Sequence, residues 1–167
     1  GAGVTNDQQD WRTTESHAPL KYTVQYRETD FAFIQRLLSE EGIYFAVHFV
    51  AGKAVMIFGD DAAGLGDIAS PTALPFHHAS GAEEAIDVVT RVTQAITVTP
   101  DKVMLRDYNA EKPKLAIEST TESDDDGAHV LEIYDYPARC AEPADAERLA
   151  KILLDEVQVP RDLVRGE

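Results

Sequence analysis

Residues 22–49, YTVQYRETDFAFIQRLLSEEGIYFAVHF, decide the fold. Apolar and polar residues alternate over residues 22–27, which is typical of a strand with one buried face. A second alternating run covers residues 43–50, and the following Ala51-Gly52-Lys53 is a hairpin signal with glycine in the loop. We therefore predict a strand over 22–27 and an antiparallel hairpin made of 43–50 and 54–58.

A helix is predicted between these strands. Thr29 offers a capping oxygen at the helix start, and Asp30 adds a favourable negative charge. Helical spacing then places four apolar residues on one stripe: Phe31, Ile34, Leu37 and Leu38. Gly42 can adopt the left-handed conformation that ends a helix, so we predict a helix over 30–41 across one face of the hairpin. On this interpretation, Leu37→Ala or Leu38→Ala would cost about 2–5 kcal/mol, the usual range for a buried leucine.

Composition narrows the class of protein. The chain has 167 residues, which suits one domain or two small subdomains, and a formal net charge of −15. Such a surface repels phosphate backbones, so we expect no nucleic-acid partner. No run of 18 apolar residues is present, so we expect no membrane span. The single Cys140 cannot form an internal disulfide, and we expect a partly buried apolar side chain in a protein assembled in a reducing cytoplasm.

The second half of the chain predicts more antiparallel strands, followed by a helix. We predict four strands there: 88–99 and 114–119, where apolar and polar residues alternate, and the shorter segments 102–107 and 130–134. Pro143 suits the first turn of a helix over 144–158, whose apolar residues recur at steps of three and four. The predicted fold class is α+β, rich in antiparallel strands, with small barrel-like subdomains and two covering helices.

The predicted organisation has three parts. Residues 1–20 form a polar connecting segment, in which Trp11 either pins the segment to the body or is an exposed contact for another domain or subunit. Residues 21–85 form a strand–helix–hairpin α+β subdomain. Residues 86–167 form an antiparallel barrel-like subdomain with a C-terminal helix.

No carboxylate or serine has the spacing of an active site. Glu40-Glu41 and Glu83-Glu84 are adjacent pairs, whose side chains diverge by about 100° on a helix and suit a solvated acidic face. No nucleophile elbow or phosphate loop contains any of the serines considered, Ser39, Ser70, Ser80, Ser119 and Ser123. We predict no catalytic residues and no enzyme. The alternative that stays open is a carboxylate-dependent hydrolase acting on cell-wall polymers.

Metal and cofactor sites are not predicted either. If Gly127 in Asp124-Asp125-Asp126-Gly127 were position six of a calcium loop, position twelve would be Ile133, which has no carboxylate. His77-His78 would point to opposite faces of an extended chain. The remaining histidines, His17, His48 and His129, have no partner at a zinc-ligand spacing. We therefore expect no metal and no cofactor.

One segment is similar to a known family. Residues 25–45, QYRETDFAFIQRLLSEEGIYF, closely resemble the VgrG (Rhs-element Vgr) tip proteins of the type VI secretion system, which are similar to the hub and spike of a contractile phage tail. Further matching motifs follow in the order of the family: Phe58-Gly59-Asp60-Asp61, Leu74-Pro75-Phe76, Leu105-Arg106-Asp107-Tyr108, Tyr134-Asp135-Tyr136-Pro137 and Glu147-Arg148-Leu149-Ala150. The resemblance runs from about Gly3 to near Arg165 and covers part of a hub module, so we expect a fragment.

The resemblance implies a structural role. It implies a homotrimeric hub, in which each subunit contributes two similar barrels to a ring that joins the secretion tube to the spike. The implied partners are other copies of the protein, the tube protein and baseplate or spike components. The implied localisation is cytoplasmic assembly followed by expulsion at the tip of the apparatus. Arg27-Glu28 and Arg106-Asp107 are then expected at strand ends, where a paired charge holds the register.

A fragment of a ring would expose surfaces that the intact protein buries. We therefore expect apolar residues and open strand edges on this chain. Mutual repulsion of its negative charge would oppose association. Weak self-association is expected, and it should strengthen at high salt, where that repulsion is screened.

Overall fold

The chain divides into two compact units, Gly1–Ile68 and Ala69–Glu167. The computed structural model describes residues 5–20, 22–66, 74–76, 88–124 and 131–167. The predicted boundary between residues 85 and 86 lies outside these ranges and stays a prediction. Within them, the structure has no helix that is both long and apolar enough to span a membrane.

The first unit combines a three-stranded sheet with one α-helix. Its elements are β1 (Gln9–Arg12), α1 (Asp30–Glu40), β2 (Tyr44–Val50) and β3 (Lys53–Gly59), with 3-10 turns at Asn6–Gln8 and Ala62–Leu65. The strand order is β1–β3–β2, in which β2 and β3 are antiparallel and β1 and β3 are parallel. Ala51 and Gly52 both have positive φ, which suits the tight turn of the β2–β3 hairpin. The predicted hairpin is confirmed.

Local signals set the ends of α1 as predicted. The Thr29 side chain accepts a hydrogen bond from the Ala32 amide at 3.2 Å and so caps the first turn. Gly42 has φ +72°, and the Ile43 amide donates to the Leu38 carbonyl at 2.8 Å to close the last turn. The helix ends one residue earlier than predicted.

The predicted strand over residues 22–27 is wrong. Residues 22–26 belong to no strand, and their alternating apolar side chains face solvent, with Tyr22 85% exposed. Arg27 then adopts a left-handed conformation, φ +53°, which breaks an extended path. Arg36 on α1 holds this segment instead, since it donates to the Val24 carbonyl and to the Glu28 carboxylate. Alternating apolar and polar residues indicate a segment that could form a strand, but they do not show that another strand is available to pair with it.

Strand β1 was not predicted. Its sequence, QDWR, is polar, and no alternating pattern is visible. Its backbone pairs in parallel with β3, with Gln9 opposite Met56 and Trp11 opposite Phe58. The Trp11 ring stacks on the Phe58 ring at a centroid distance of 4.2 Å and stays 54% exposed. Trp11 therefore pins the N-terminal segment, as predicted, and also presents an exposed ring.

The second unit consists of two small sheets and one long helix. Its elements are β4 (Val92–Ile96), β5 (Lys102–Asp107), β6 (Ile117–Glu122), β7 (Glu132–Asp135), α2 (Pro143–Gln158) and β8 (Asp162–Gly166). One sheet has the order β6–β5–β7, with β5 antiparallel to β6 and parallel to β7. The other is the antiparallel pair β4–β8. The α+β class is confirmed, whereas closure of these open sheets into a barrel stays a prediction.

The buried core of the second unit lies between α2 and the β6–β5–β7 sheet. Val103 and Leu105 on β5 pack against Ala150 and Leu154 on α2. A second cluster contains Ile117, Cys140 and Ala146. Alanine at the two fully buried helix positions lets the helix backbone approach the sheet closely. Cys140 is buried as predicted, and this burial raises the pKa of its thiol, so it is a structural cysteine.

The last strand, β8, was not predicted from the sequence. It follows α2 closely and pairs with β4, with Gln94 opposite Val164. The Gln94 amide also donates to the Asp162 carboxylate at 2.8 Å. All residues of both strands are exposed, so this ribbon lacks a packed face within the described residues.

Replacing a leucine of α1 by alanine should reduce stability less than the sequence alone predicts. Leu38 is half-buried, and α1 has no fully buried residue among those described. Because a half-buried leucine removes less apolar area from water, we expect Leu38→Ala to lower the free energy of unfolding by about 1 kcal/mol. Urea denaturation would measure this change. A loss of the full value for a core leucine would show that α1 is more deeply buried in solution.

Candidate interaction surface

Four aromatic rings form a row across the first unit, which we call the aromatic row: Trp11, Phe58, Phe45 and Phe31. The first three stand opposite one another on β1, β3 and β2, since Trp11 and Phe45 both lie opposite Phe58. The Phe31 ring on α1 meets the Phe45 ring edge-on, with 5.9 Å between centroids. The row therefore joins the sheet to the helix through the Phe31–Phe45 contact, and the placement of α1 across the hairpin stays a prediction.

Exposed apolar side chains continue on the same face of the sheet. Val47 and Phe49 lie two and four residues after Phe45, so they point to its side. Phe49 is 80% exposed, and Val47 and Ile34 are each about half exposed. Trp11, Phe31, Ile34, Val47 and Phe49 together form what we call the apolar face. A cluster of large apolar residues of this kind is typical of a protein contact surface.

A buried carboxylate fixes the N-terminal segment beside this sheet. Asp60 follows β3 directly, and its side chain is 7% exposed. Its oxygens accept hydrogen bonds from the amide and hydroxyl of Thr14 and from the Glu15 amide, at 2.8–3.0 Å. His17 lies between two carboxylates, with Nδ1 3.1 Å from Glu41 and Nε2 3.3 Å from Asp60. Asp60 is thus the anchor of residues 14–17.

The stability of this anchor should depend on pH. Burial alone would raise the pKa of Asp60, but hydrogen bonds from Glu15 and Thr14 outweigh it and hold that pKa well below its usual range. A lowered pKa in the folded state stabilises the protein above the ordinary aspartate pKa of about 3.9, and this contribution is lost as pH falls below it.

We therefore expect the first unit to lose stability steeply in acid. Urea midpoints recorded by Trp11 fluorescence from about pH 6 to pH 3 measure the effect. Asp60→Asn should flatten the pH profile because the titrating carboxyl is removed. An unchanged slope in Asp60→Asn would mean that other groups dominate the acid response.

The two motif pairs differ in outcome: Arg27-Glu28 does not end a strand, whereas Arg106-Asp107 ends β5, where Arg106 lies opposite Glu118. Arg27 and Glu28 do not pair with each other: Arg27 lies over the Tyr26 ring, and Glu28 accepts from Arg36 at 2.8 Å. The hydrogen bond from Arg36 holds the pKa of Glu28 below its usual range. In the second unit, Arg106 lies 3.5 Å from the Glu118 carboxylate on β6. Asp107 instead accepts a hydrogen bond from the Cys140 amide at 3.0 Å.

The candidate catalytic and metal-binding residues do not converge where the structure describes them. Glu40 pairs with Arg36, whereas Glu41 contacts His17. Each ring nitrogen of His17 faces a different carboxylate, so these three side chains do not converge on one ion. No group of three or more potential ligands in the described ranges has the geometry of a metal site. Several candidates lie outside the described residues: His77-His78, Glu83-Glu84, His129 and most of Asp124-Asp125-Asp126-Gly127. Their lack of a site stays a prediction.

Comparison with protein families matches the phage tail baseplate hub (GPD) family over residues 2–167. The chain belongs to this hub family. The hub chain is 31% identical over 166 residues to the type VI secretion system spike protein VgrG4b of Pseudomonas aeruginosa, across 98% of its own length and 20% of that protein. It is also 31% identical over 170 residues to VgrG5 of the same organism, across 100% and 21%. For VgrG3 of Vibrio cholerae the identity is 27% over 140 residues, across 83% and 14%.

These matches confirm the resemblance seen in the sequence. The VgrG similarity covers nearly the whole hub chain, not only the residues around α1. The hub chain spans about a fifth of the length of the first two relatives.

Sequence reasoning missed the role of Asp60, the contacts of Arg36 and strand β1. The Phe58-Gly59-Asp60-Asp61 motif nevertheless marked the position of the Asp60 anchor.

Proposed function

We propose that this chain is a structural part of the hub of a type VI secretion tip and carries out no catalytic reaction. The observation that carries the proposal is the match to the hub family over residues 2–167. The relatives similar to this chain include spike proteins of that secretion system. In this role the chain assembles in the cytoplasm, forms a homotrimeric hub within its parent protein and contacts the tube and spike components. It leaves the cell at the tip of the apparatus.

The apolar face supports an assembly role. Phe49, Val47 and Trp11 present large apolar surface to solvent from one side of a sheet. In an oligomer, this area would be removed from water and would contribute to association. We propose that another copy of the protein covers this face. Closure of the open sheets into barrels, as the resemblance implies, would accompany that assembly.

Among the residues that the structure describes, no side-chain contact supports the alternative hydrolase. A carboxylate pair for general acid–base catalysis needs one group with a raised pKa in a cleft. Glu40 and Glu41 instead make salt-bridge contacts with Arg36 and His17, and the lowered pKa of Asp60 keeps it ionised. These three carboxylates are thus used to hold the first unit together.

Charge reversal of the apolar face tests the assembly role. Phe49→Asp in the full-length parent protein should weaken the trimer by more than about tenfold, because an aromatic side chain that the interface would bury is replaced by a charge. His48→Asp is the matched control, since His48 is exposed on the opposite face of the same strand. Sedimentation equilibrium measures both. Trimers of equal stability in the two variants would place the subunit contact elsewhere, and a monomeric wild-type parent would refute the hub role.

Salt dependence provides a second readout on the 167-residue chain. Its net charge of −15 opposes association, and added salt screens this repulsion. We expect the weight-average mass at high protein concentration to rise with salt in the wild type and less so in Phe49→Asp. A strict monomer at every salt concentration, together with turnover of a peptidoglycan substrate, would restore the hydrolase.

A further inference from the structure

A cleft of about 470 Å³ lies at one end of the β6–β5–β7 sheet in the second unit. Arg106 and Glu118 form part of its floor, and Tyr134 stands beside them on β7. Arg106 follows the buried Leu105, so its side chain lies on the sheet face opposite to α2. Residues 113–116 form another wall. This volume is in the range of clefts that hold small ligands or a few residues of a peptide.

Three tyrosines define the chemistry of this cleft, which we call the tyrosine cleft. Tyr108, Tyr134 and Tyr136 line it, and each ring is slightly more than half exposed. None of their hydroxyls has a hydrogen-bond partner among the described residues. Exposed tyrosines give a large contact area at a low entropic cost and leave a free donor at the ring tip, which is why they are frequent at binding surfaces.

The charged groups that line the cleft are two cations, Arg106 and Lys114, and two carboxylates, Asp107 and Glu118. The Asp107 carboxylate already accepts the Tyr108 and Cys140 amides, and Glu118 lies 3.5 Å from Arg106. Lys114 has no carboxylate partner within the described part of the chain. In a chain with a net charge of −15, the cleft therefore presents one uncompensated ammonium group beside three phenol hydroxyls.

The loop that forms one wall is held in place without a ligand. The Asn109 side-chain oxygen accepts from the Glu111 and Lys112 amides at 2.9 and 3.1 Å. Its Nδ2 donates to the Ala141 carbonyl at 3.1 Å, and the Leu115 amide donates to the Lys112 carbonyl at 2.9 Å. Because this wall is already ordered, a ligand does not have to supply the free energy needed to order it.

We propose that the tyrosine cleft binds an extended, proline-containing protein segment that carries a carboxylate. A polyproline II segment has flat pyrrolidine rings that stack on tyrosines, and its carbonyls are acceptors without a competing internal hydrogen bond. Those acceptors match the free tyrosine hydroxyls, and a carboxylate on the segment pairs with Lys114. A neutral saccharide has no carboxylate to pair with Lys114, and its binding is one of the outcomes that the test distinguishes.

Peptide titration of the 167-residue chain, followed by NMR signals of the tyrosine rings, tests the proposal. The probes are a short polyproline peptide with one central glutamate, the same peptide with glutamine in that place, and a glycine–serine peptide with the glutamate kept. We expect the glutamate polyproline peptide to bind at least tenfold more tightly than the glycine–serine peptide. Lys114→Glu should weaken the glutamate peptide more than fivefold and change binding of the glutamine peptide less than twofold.

Tyrosine variants show whether the signal comes from this cleft. Tyr134→Ser should weaken the polyproline peptide about tenfold, as expected for an aromatic hot spot. Tyr108→Ser, on the loop, tests the same point if the β7 variant does not fold. Tyr26→Ser is the matched control, because Tyr26 is exposed in the first unit. Equal binding of the glycine–serine peptide, no saturable binding, or tyrosine-dependent binding of a chitin oligosaccharide in place of the peptide would each overturn the proposal.

Discussion

Leu105→Ala is expected to lower the free energy of unfolding of the second unit by about 2–5 kcal/mol. Leu105 is 3% exposed, lies on the central strand β5 and packs against Ala150 and Leu154 of α2. Strands on both sides of β5 and the helix above it restrict relaxation, so truncation leaves a cavity as well as losing apolar burial. Urea denaturation followed by far-UV circular dichroism measures the change.

Met104→Ala is the matched control for this prediction. Met104 is the neighbouring residue on β5 and lies on the sheet face that α2 does not cover, where it is only partly buried. We expect less than half the effect of Leu105→Ala. If the two variants were equally destabilised, the core would not lie between β5 and α2.

Asp60→Ala is expected to destabilise the first unit by about 3 kcal/mol, because it leaves several hydrogen-bond donors without their charged acceptor. The amides of Thr14 and Glu15 and the hydroxyl of Thr14 all donate to this carboxylate. Their release would free the segment that continues from β1. Trp11 fluorescence reports the result directly, since its ring stacks on Phe58. We expect a lower urea midpoint and an emission spectrum shifted to the red.

Two further variants serve as comparisons for Asp60→Ala. Asp60→Asn removes the charge but keeps one acceptor oxygen, so it should lose less stability than Asp60→Ala. Asp61→Ala removes the acceptor for the Ala63 amide, at 2.7 Å, and should affect only the short 3-10 turn after β3. An Asp60→Ala protein with unchanged Trp11 emission would show that β1 is held by its strand pairing alone.

Features set by neighbouring residues could be predicted from the sequence. Thr29 and Gly42 mark both ends of α1, and Pro143 marks the start of α2. Ala51-Gly52 gives the hairpin its turn and therefore its register. In each case the residue that marks a helix end or a turn lies within a few residues of that feature, so the prediction does not require knowledge of tertiary contacts.

Features that depend on distant parts of the chain could not be predicted. The polar β1 gains its partner only because β3 presents a free edge, and no local pattern contains that fact. The reverse error occurred over residues 22–27, where a strand pattern pairs with none of the described strands and Arg36 holds the segment. The apolar face and the tyrosine cleft likewise combine residues from separate elements.

The parallel pairing of β1 with β3 also has a consequence for the order of folding. The contacts between Thr14 and Asp60 join residues 46 positions apart, whereas the β2–β3 hairpin closes through a tight turn. Closing the longer loop costs more chain entropy, and contacts of high sequence separation form slowly. The hairpin should therefore form first and β1 should dock last. In a stopped-flow refolding experiment, the Trp11 signal would then lag behind the gain of secondary structure.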